Sequence, residues 1–169
     1  MNTRTFDKGI FRKALVAQIG GQPEHLESLE AVERWIGSGR DGLLLMGTVG
    51  TGKSTIAASL CRAWTDILTV ARFYQCDIVA ERIRQDESYK YEVAFQKGLI
   101  VLDDLGTEGK VYGEESLPFI LYRRYERNLP TVITTNLNLE QIARKYGERI
   151  SDRLRTYSRI VLNYKSLRK

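Results

Sequence analysis

The sequence predicts an α/β fold in which helices cover both faces of a five-stranded parallel sheet. Two observations lead to this prediction: five short apolar segments recur along the chain, and helical patterns separate them. The first segment, Leu-Leu-Leu-Met, is continuously apolar, which is typical of a strand buried on both faces. The predicted strands are residues 43–46, 70–74, 99–102, 131–134 and 159–162.

The helical patterns follow from apolar residues at three- and four-residue spacing. They predict helices at residues 23–36, 56–64, 78–83, 91–95 and 119–127. Pro118 falls in the first turn of the last of these, where proline is tolerated. Asn138 and Gly147 are typical of the start and the end of a further helix. Residues 1–20 carry few periodic signals and are expected to be partly mobile.

Length and composition suit one domain. The chain has 169 residues, of which 43% are hydrophobic and 28% charged. We expect residues 1–42 to form an N-terminal segment and helix, and residues 43–169 to form the core. No apolar run approaches the roughly 20 residues of a membrane span, and the first residues lack the apolar core of a signal peptide. We therefore expect a cytoplasmic protein without a membrane partner.

Metal chemistry based on cysteine and histidine is disfavoured. The chain has two cysteines and one histidine, and these do not form a cluster.

Positive charge is concentrated at one end of the chain. Nine of the 26 Lys and Arg residues lie between Glu140 and Lys169, against three acids, within a chain of net charge +5. This end is expected to meet anions, either nucleotide phosphates or nucleic acid.

A phosphate-binding loop is predicted where the first strand meets the first helix of the core. The segment matches GxxxxGK[ST] at its four fixed positions. Its glycines allow backbone N–H groups to surround an anion, and the following helix adds its positive end. Lys53 is expected on the β- and γ-phosphates of ATP, and Ser54 as a ligand of Mg²⁺. The predicted nucleotide-binding residues are Gly47, Thr48, Val49, Gly50, Thr51, Gly52, Lys53, Ser54 and Thr55.

Polar residues end two further predicted strands. Asp103 and Asp104 follow one apolar strand, and Asn136 follows the next. Because the carboxyl ends of parallel strands share one edge of a sheet, these residues should meet the phosphate-binding loop. We predict that Asp103 holds Mg²⁺, that Asp104 polarises an attacking water, and that Asn136 contacts the γ-phosphate. The expected reaction is phosphoryl transfer to water.

Spacing narrows the class of P-loop protein. Fifty residues and one further predicted strand separate Lys53 from Asp103. This spacing suits P-loop ATPases with an inserted strand, and it disfavours small-molecule kinases, in which the two elements lie on adjacent strands. The expected architecture is a three-layer α/β/α P-loop NTPase.

The segments GTVGTGKST, LIVLDDLG, PTVITTNL and YGERISDRL together resemble the DnaC/IstB-like branch of the AAA+ ATPases. The resemblance implies that Asn136 is sensor 1. It also implies that Arg153 is an arginine finger acting in trans, with Arg149 as the alternative. Arg168, near the chain end, matches a family residue that approaches the nucleotide. A finger in trans makes activity depend on a homo-oligomer.

The resemblance further implies an ATP-dependent accessory factor in DNA replication, similar to a replicative helicase loader. Its expected partners are single-stranded DNA and a replicative helicase. A transposition helper with a transposase as client is the alternative, and a nucleotide-gated binding module without turnover is another. No C-terminal lid domain is expected, so ATP hydrolysis should be slow until assembly or DNA stimulates it.

Overall fold

The computed structural model describes residues 6–19, 26–38, 42–66, 68–109 and 113–163. The elements, in chain order, are α1 (Lys8–Ile19), α2 (Leu26–Ser38), β1 (Gly42–Gly47), α3 (Lys53–Ala63), β2 (Arg72–Gln75), α4 (Cys76–Gln85), α5 (Tyr89–Phe95), β3 (Ile100–Leu105), α6 (Gly113–Glu126), β4 (Thr131–Thr135), α7 (Leu139–Tyr146), α8 (Glu148–Arg155) and β5 (Ser158–Leu162). Among these residues, no helix is long and apolar enough to cross a membrane.

The five strands form one parallel sheet in the order β2-β3-β4-β1-β5. Strand β4 therefore lies between β1 and β3, so the strand before the phosphate-binding loop and the strand with the two aspartates are not adjacent, as their spacing predicted. Strand β2 begins at Arg72, two residues later than predicted, and β3 continues past its predicted end to Leu105.

Helices cover both faces of the sheet, which confirms the predicted three-layer fold. Side chains of successive strand residues point to opposite faces, and β1 shows this directly. Leu43 and Leu45 pack with apolar residues of α1, α2 and α3. Leu44 packs instead with the helices of the opposite face, from α4 to α8. Both cores are dominated by side chains that are almost fully buried.

Helix α1 was not predicted. Its Phe11 and Leu15 are 0% and 1% exposed and pack in the same core as α3. The Asp7 carboxylate accepts a hydrogen bond from Ile10 N at the start of the helix, and Asp7 N donates to Ala63 O at 2.9 Å. Residues 6–19, for which few periodic signals were found, therefore include a helix that packs on the core. Among the side chains of residues 8–18, Phe11 and Leu15 are the buried ones, and two residues one turn apart are too few to give a clear period in the sequence.

Helix α6 begins earlier than predicted. It starts at Gly113, so Pro118 lies inside the helix rather than in its first turn. A proline there removes one backbone hydrogen bond of the helix. The residues before Pro118 have no apolar period, which is why the sequence did not reveal the first turn. In contrast, α7 has the predicted start: the Asn138 side chain accepts from Gln141 N at 2.8 Å and forms a capping box.

Arg124 of α6 is a fully buried cation that the sequence analysis did not single out. Its guanidinium donates to Thr131 Oγ1, to Gln96 O at 2.8 Å and to Pro130 O at 2.8 Å. It also donates to Gly98 O at 3.1 Å. Arg124 thereby connects α6 to the start of β4 and to the loop before β3. Burial lowers the pKa of Arg124 to about 10, which leaves it charged at neutral pH.

Replacing Arg124 by methionine should lower the free energy of unfolding by about 3 kcal/mol, because several buried oxygens lose their donor. Denaturant unfolding of Arg124→Met measures this loss, and Arg127→Met, which replaces an exposed arginine just after the end of α6, is the control. Equal stability of the two variants would contradict the structural role of Arg124.

Candidate functional site

A cleft of about 380 Å³ opens at the carboxyl edge of the sheet. It brings together the loop after β1, the end of β3 and the residue after β4. Its lining residues are Val49, Gly50, Gly52, Lys53, Ser54, Thr55, Asp104, Thr107 and Asn136. Three segments that lie far apart in the sequence thus meet where parallel α/β sheets bind ligands.

The backbone of the phosphate-binding loop has the conformation that its glycines predict. Gly50 and Gly52 have φ angles of 84° and 85°, which favour glycine. Gly52 immediately precedes α3, so the helix N-terminus opens into the cleft. The Thr51 hydroxyl donates to Thr48 O at 2.9 Å and closes the loop. These features suit the binding of an anion by backbone N–H groups.

Lys53 is the first residue of α3, and only 5% of it is exposed. Its Nζ donates to Gly47 O at 2.9 Å and to Thr48 O at 2.8 Å. It also donates to Asn136 Oδ1 at 2.7 Å, a contact that joins the loop to the end of β4. The ammonium group is therefore held at the cleft by oxygens of two segments, in a position to meet a phosphate.

An irregularity in β3 places the two aspartates. Leu102 pairs with Ile133 and Leu105 with Thr135, so both Asp103 and Asp104 lie opposite Thr134. This two-to-one pairing is a β-bulge, and Asp104 has a positive φ of 55°. Regular alternation would direct residue 104 into the apolar face that holds Leu102. The bulge places Leu105 in that core instead and leaves Asp104 at the cleft.

Thr134 fixes the bulge with one hydroxyl. Its Oγ1 donates to Asp103 Oδ1 at 2.6 Å and accepts from Asp104 N at 2.8 Å. The sequence analysis took Thr134 only as a strand residue. No local pattern distinguishes it from the other threonines of the strand, because its role depends on the register between β3 and β4.

Asp103 is 3% exposed, its Oδ1 accepts a hydrogen bond from Thr134 Oγ1, and the Ser54 side chain lies beside its carboxylate. Burial raises the pKa of Asp103, and the hydroxyls of Thr134 and Ser54 lower it in part. A buried carboxylate beside a hydroxyl favours a cation. Mg²⁺ in particular is held through one or two carboxylates together with substrate phosphates. Ser54 and Asp103 therefore fit the predicted Mg²⁺ site, although the described residues contain no all-protein metal cluster.

Glu108 anchors the loop that follows Asp104, a role that the sequence analysis missed. The carboxylate is buried, accepts from Gly106 N at 3.0 Å and from the Tyr146 hydroxyl, and pairs with Lys145 at 3.0 Å. Lys145 also donates to Gly106 O at 2.7 Å. Burial and the hydrogen bond to Glu108 raise the pKa of Tyr146. This cluster joins the loop after β3 to the end of α7.

Two of the three predicted arginines, Arg149 and Arg153, do not line this cleft. Arg149 and Arg153 lie on α8 and stack on Tyr122 of α6. They do not lie in the cleft that holds Lys53 of the same chain. A role in trans would instead place them at the cleft of a second copy. Arg168 lies outside the described residues.

The order of the strands and the phosphate-binding loop are those of a P-loop domain. No family model matches the chain. In sequence the chain is similar to the replicative helicase loader DnaC of Escherichia coli (strain K12), with 29% identity over 137 residues. The match covers 74% of this chain and 55% of DnaC, so the chain spans little more than half the length of that relative.

Solved structures show the same fold. The DnaC helicase loader superposes with a TM-score of 0.71 at 21% identity, over 85% of this chain and 92% of that one. The structure of DnaI superposes with a TM-score of 0.73 at 21% identity, over 96% of this chain and 94% of that one. The replication initiator DnaA, bound to AMPPCP and single-stranded DNA, superposes with a TM-score of 0.70 at 13% identity, over 85% of this chain and 48% of that one. The predicted resemblance to DnaC/IstB-like AAA+ ATPases is confirmed by the similarity to DnaC and by these folds.

Thr134→Val should raise the Mg²⁺ concentration needed for half-maximal tightening of ATP binding by about tenfold, because an outer-shell partner of the metal ligand is lost. Binding in EDTA should not change. Titration of a fluorescent ATP analogue at a series of Mg²⁺ concentrations measures the shift. Thr135→Val, which removes a neighbouring buried hydroxyl bonded to Leu105 O, is the control. Identical Mg²⁺ dependence in Thr134→Val and the unmodified protein would contradict the assignment of Asp103.

Proposed function

We propose that this chain binds ATP with Mg²⁺ in the cleft and acts as a helicase-loader-like ATPase in DNA replication. One observation carries the nucleotide site: Lys53 Nζ contacts Asn136 Oδ1 at 2.7 Å, and the Ser54 side chain lies beside Asp103. The cation, the hydroxyl, the carboxylate and the amide that phosphoryl transfer needs are thus within reach of one bound triphosphate.

Each of these groups has a distinct part in the proposed reaction. Residues 47–52 and the start of α3 surround the phosphates, with Thr55 at the edge of the cleft. Lys53 leaves the loop carbonyls to neutralise the β- and γ-phosphates. Ser54 and Asp103 would hold Mg²⁺, which would supply positive charge to offset that of the phosphates. Asn136 contacts the γ-phosphate.

Asp104 is the proposed group that activates water for hydrolysis. It lines the cleft and is partly exposed, whereas Asp103 beside it is buried. The bulge thus gives the two neighbouring carboxylates different surroundings, which suits one to the metal and the other to water. Among the described lining residues, Lys53 is the cation of the cleft. A second positive group for the transition state would come from another copy of the chain, through Arg149 or Arg153.

The similarity to DnaC supports a role in replication, and the DnaA structure, which holds AMPPCP and single-stranded DNA on a similar fold, is consistent with contact with both. We infer that ATP binding promotes self-association and that the assembled protein contacts single-stranded DNA and a replicative helicase. The positive charge between Glu140 and Lys169 is consistent with an anionic partner.

Lys53→Met should weaken binding of ATP at least about 100-fold, because the buried ammonium is the main counter-charge to the phosphates. Isothermal titration with ATP and Mg²⁺ measures binding, and a phosphate-release assay measures turnover. Lys97→Met, an exposed lysine outside the cleft, controls for the loss of one charge. Unchanged ATP binding by Lys53→Met would contradict the site.

Binding to single-stranded DNA should require ATP and should weaken steeply with added salt, because released counterions dominate such binding. Fluorescence anisotropy of a labelled oligonucleotide, with ATP, with ADP and without nucleotide, measures this dependence. The organism's replicative helicase, added to the same assay, should form a ternary complex only with ATP. Binding to neither partner at low salt would contradict the replication role and leave the nucleotide site unaffected.

A further inference from the structure

Two arginines of α8 share one tyrosine of α6. The Cζ atoms of Arg149 and Arg153 lie 4.3 Å and 4.5 Å from the centroid of the Tyr122 ring. Arg149 Nη2 also donates to the Tyr122 hydroxyl at 2.5 Å. Arg153 Nη1 donates to Arg149 O at 2.9 Å, so each guanidinium is held by a directed hydrogen bond in addition to the ring.

The Tyr122 hydroxyl connects this stack to an acid. It lies close to the Glu126 carboxylate, which accepts a hydrogen bond from Arg123 Nη1 at 3.1 Å. We call Tyr122, Arg123, Glu126, Arg149 and Arg153 the arginine cluster. It contains three guanidinium groups and one carboxylate, so it carries excess positive charge. Like charges at this distance repel, and an anion from outside would relieve the repulsion.

The two arginines differ in exposure. Arg149 is exposed, whereas Arg153 is half-buried between Tyr122 and Tyr125, whose centroid lies 5.4 Å from Arg153 Cζ. Arg153 Nε is buried without a hydrogen-bond partner among the described residues. The cluster thus presents one guanidinium at the surface and supports it with a second one beneath.

We propose that Tyr122 is a positioning residue that holds Arg149 and Arg153 ready for the terminal phosphate of a nucleotide bound by a second copy of this chain. The inference rests on the proposed function and deepens it. A free arginine side chain loses considerable rotamer entropy when it is fixed against a ligand. A ring that orients both guanidinium groups before assembly reduces that loss. Tyr122 itself touches neither the nucleotide nor the attacking water.

Complementation between two inactive variants tests this assignment. A donor chain with Lys53→Met cannot use its own cleft but supplies its arginines. An acceptor chain with Arg149→Ala and Arg153→Ala supplies an intact cleft. Their mixture should hydrolyse ATP, although each alone should not. Tyr122→Leu in the donor should lower the rate of ATP hydrolysis by the mixture about tenfold. The same substitution in the acceptor should leave that rate unchanged. A general structural defect would lower the rate from either chain.

A second measurement is independent of turnover. Sedimentation with the non-hydrolysable analogue AMPPNP should show nucleotide-dependent self-association. Tyr122→Leu should weaken this association about tenfold and leave the affinity of the cleft for AMPPNP unchanged. Tyr91→Leu, which removes a surface tyrosine of α5 that is 48% exposed, is the matched control. Tyr122→Phe keeps the ring and loses only the hydroxyl, so most of the association should return.

Two different failures are distinguishable. The assignment of Tyr122 would be overturned if the donor chain gave the same rate of ATP hydrolysis with and without Tyr122→Leu. It would also be overturned if Tyr122→Leu left the self-association with AMPPNP unchanged. Absence of nucleotide binding in the unmodified protein would instead overturn the proposed function, and the inference with it. If Tyr122→Leu does not fold, as shown by circular dichroism, Tyr122→Phe decides. A donor chain with Tyr122→Phe should then give a hydrolysis rate and an association constant two- to threefold below those of the donor chain with Tyr122. Equal values for the two chains would overturn the proposal.

Discussion

Strand β4 lies between the strand that leads into the phosphate-binding loop and the strand that carries the two aspartates. The contacts that assemble the cleft start from its end. Thr134 bonds Asp103 and Asp104 on one side, and Asn136 bonds Lys53 on the other. Because all three strands are parallel, their carboxyl ends share one edge. A change of register at β4 would therefore separate the lysine from the carboxylates even if every residue of the site were retained.

The bulge in β3 concentrates local strain where chemistry is expected. A positive φ at Asp104 is unfavourable for a residue with a side chain, and such strain persists only where the surroundings hold it. Here the Thr134 hydroxyl and the burial of Leu105 hold it. The Glu108 cluster fixes the loop that follows. The acid proposed to activate water therefore lies in a segment that hydrogen bonds hold on both sides, and its side chain lines the cleft.

Much of the fold could be predicted from the sequence, because short apolar strands and the glycine pattern of the loop are local signals. The five strands, the loop around Lys53 and the edge position of Asp103 belong to this group. Helix α1 could not be predicted, since two buried residues give too weak a period. The bulge, the contact of Glu108 with Tyr146 and the stack of Arg149 on Tyr122 join residues far apart in the chain. Such contacts depend on tertiary packing, and one sequence carries no local mark of them.

The proposed chemistry depends on a cation shared between the phosphate-binding loop and β3. The most direct measurement is anomalous diffraction from a crystal grown with AMPPNP and Mn²⁺ in place of Mg²⁺. We expect one Mn²⁺ peak in the cleft, in contact with Ser54 Oγ and the analogue's phosphates, with Asp103 bonded to the ion or to its water. A peak that Ser54 and Asp103 do not share, or a loop without nucleotide at saturating AMPPNP, would contradict the shared site.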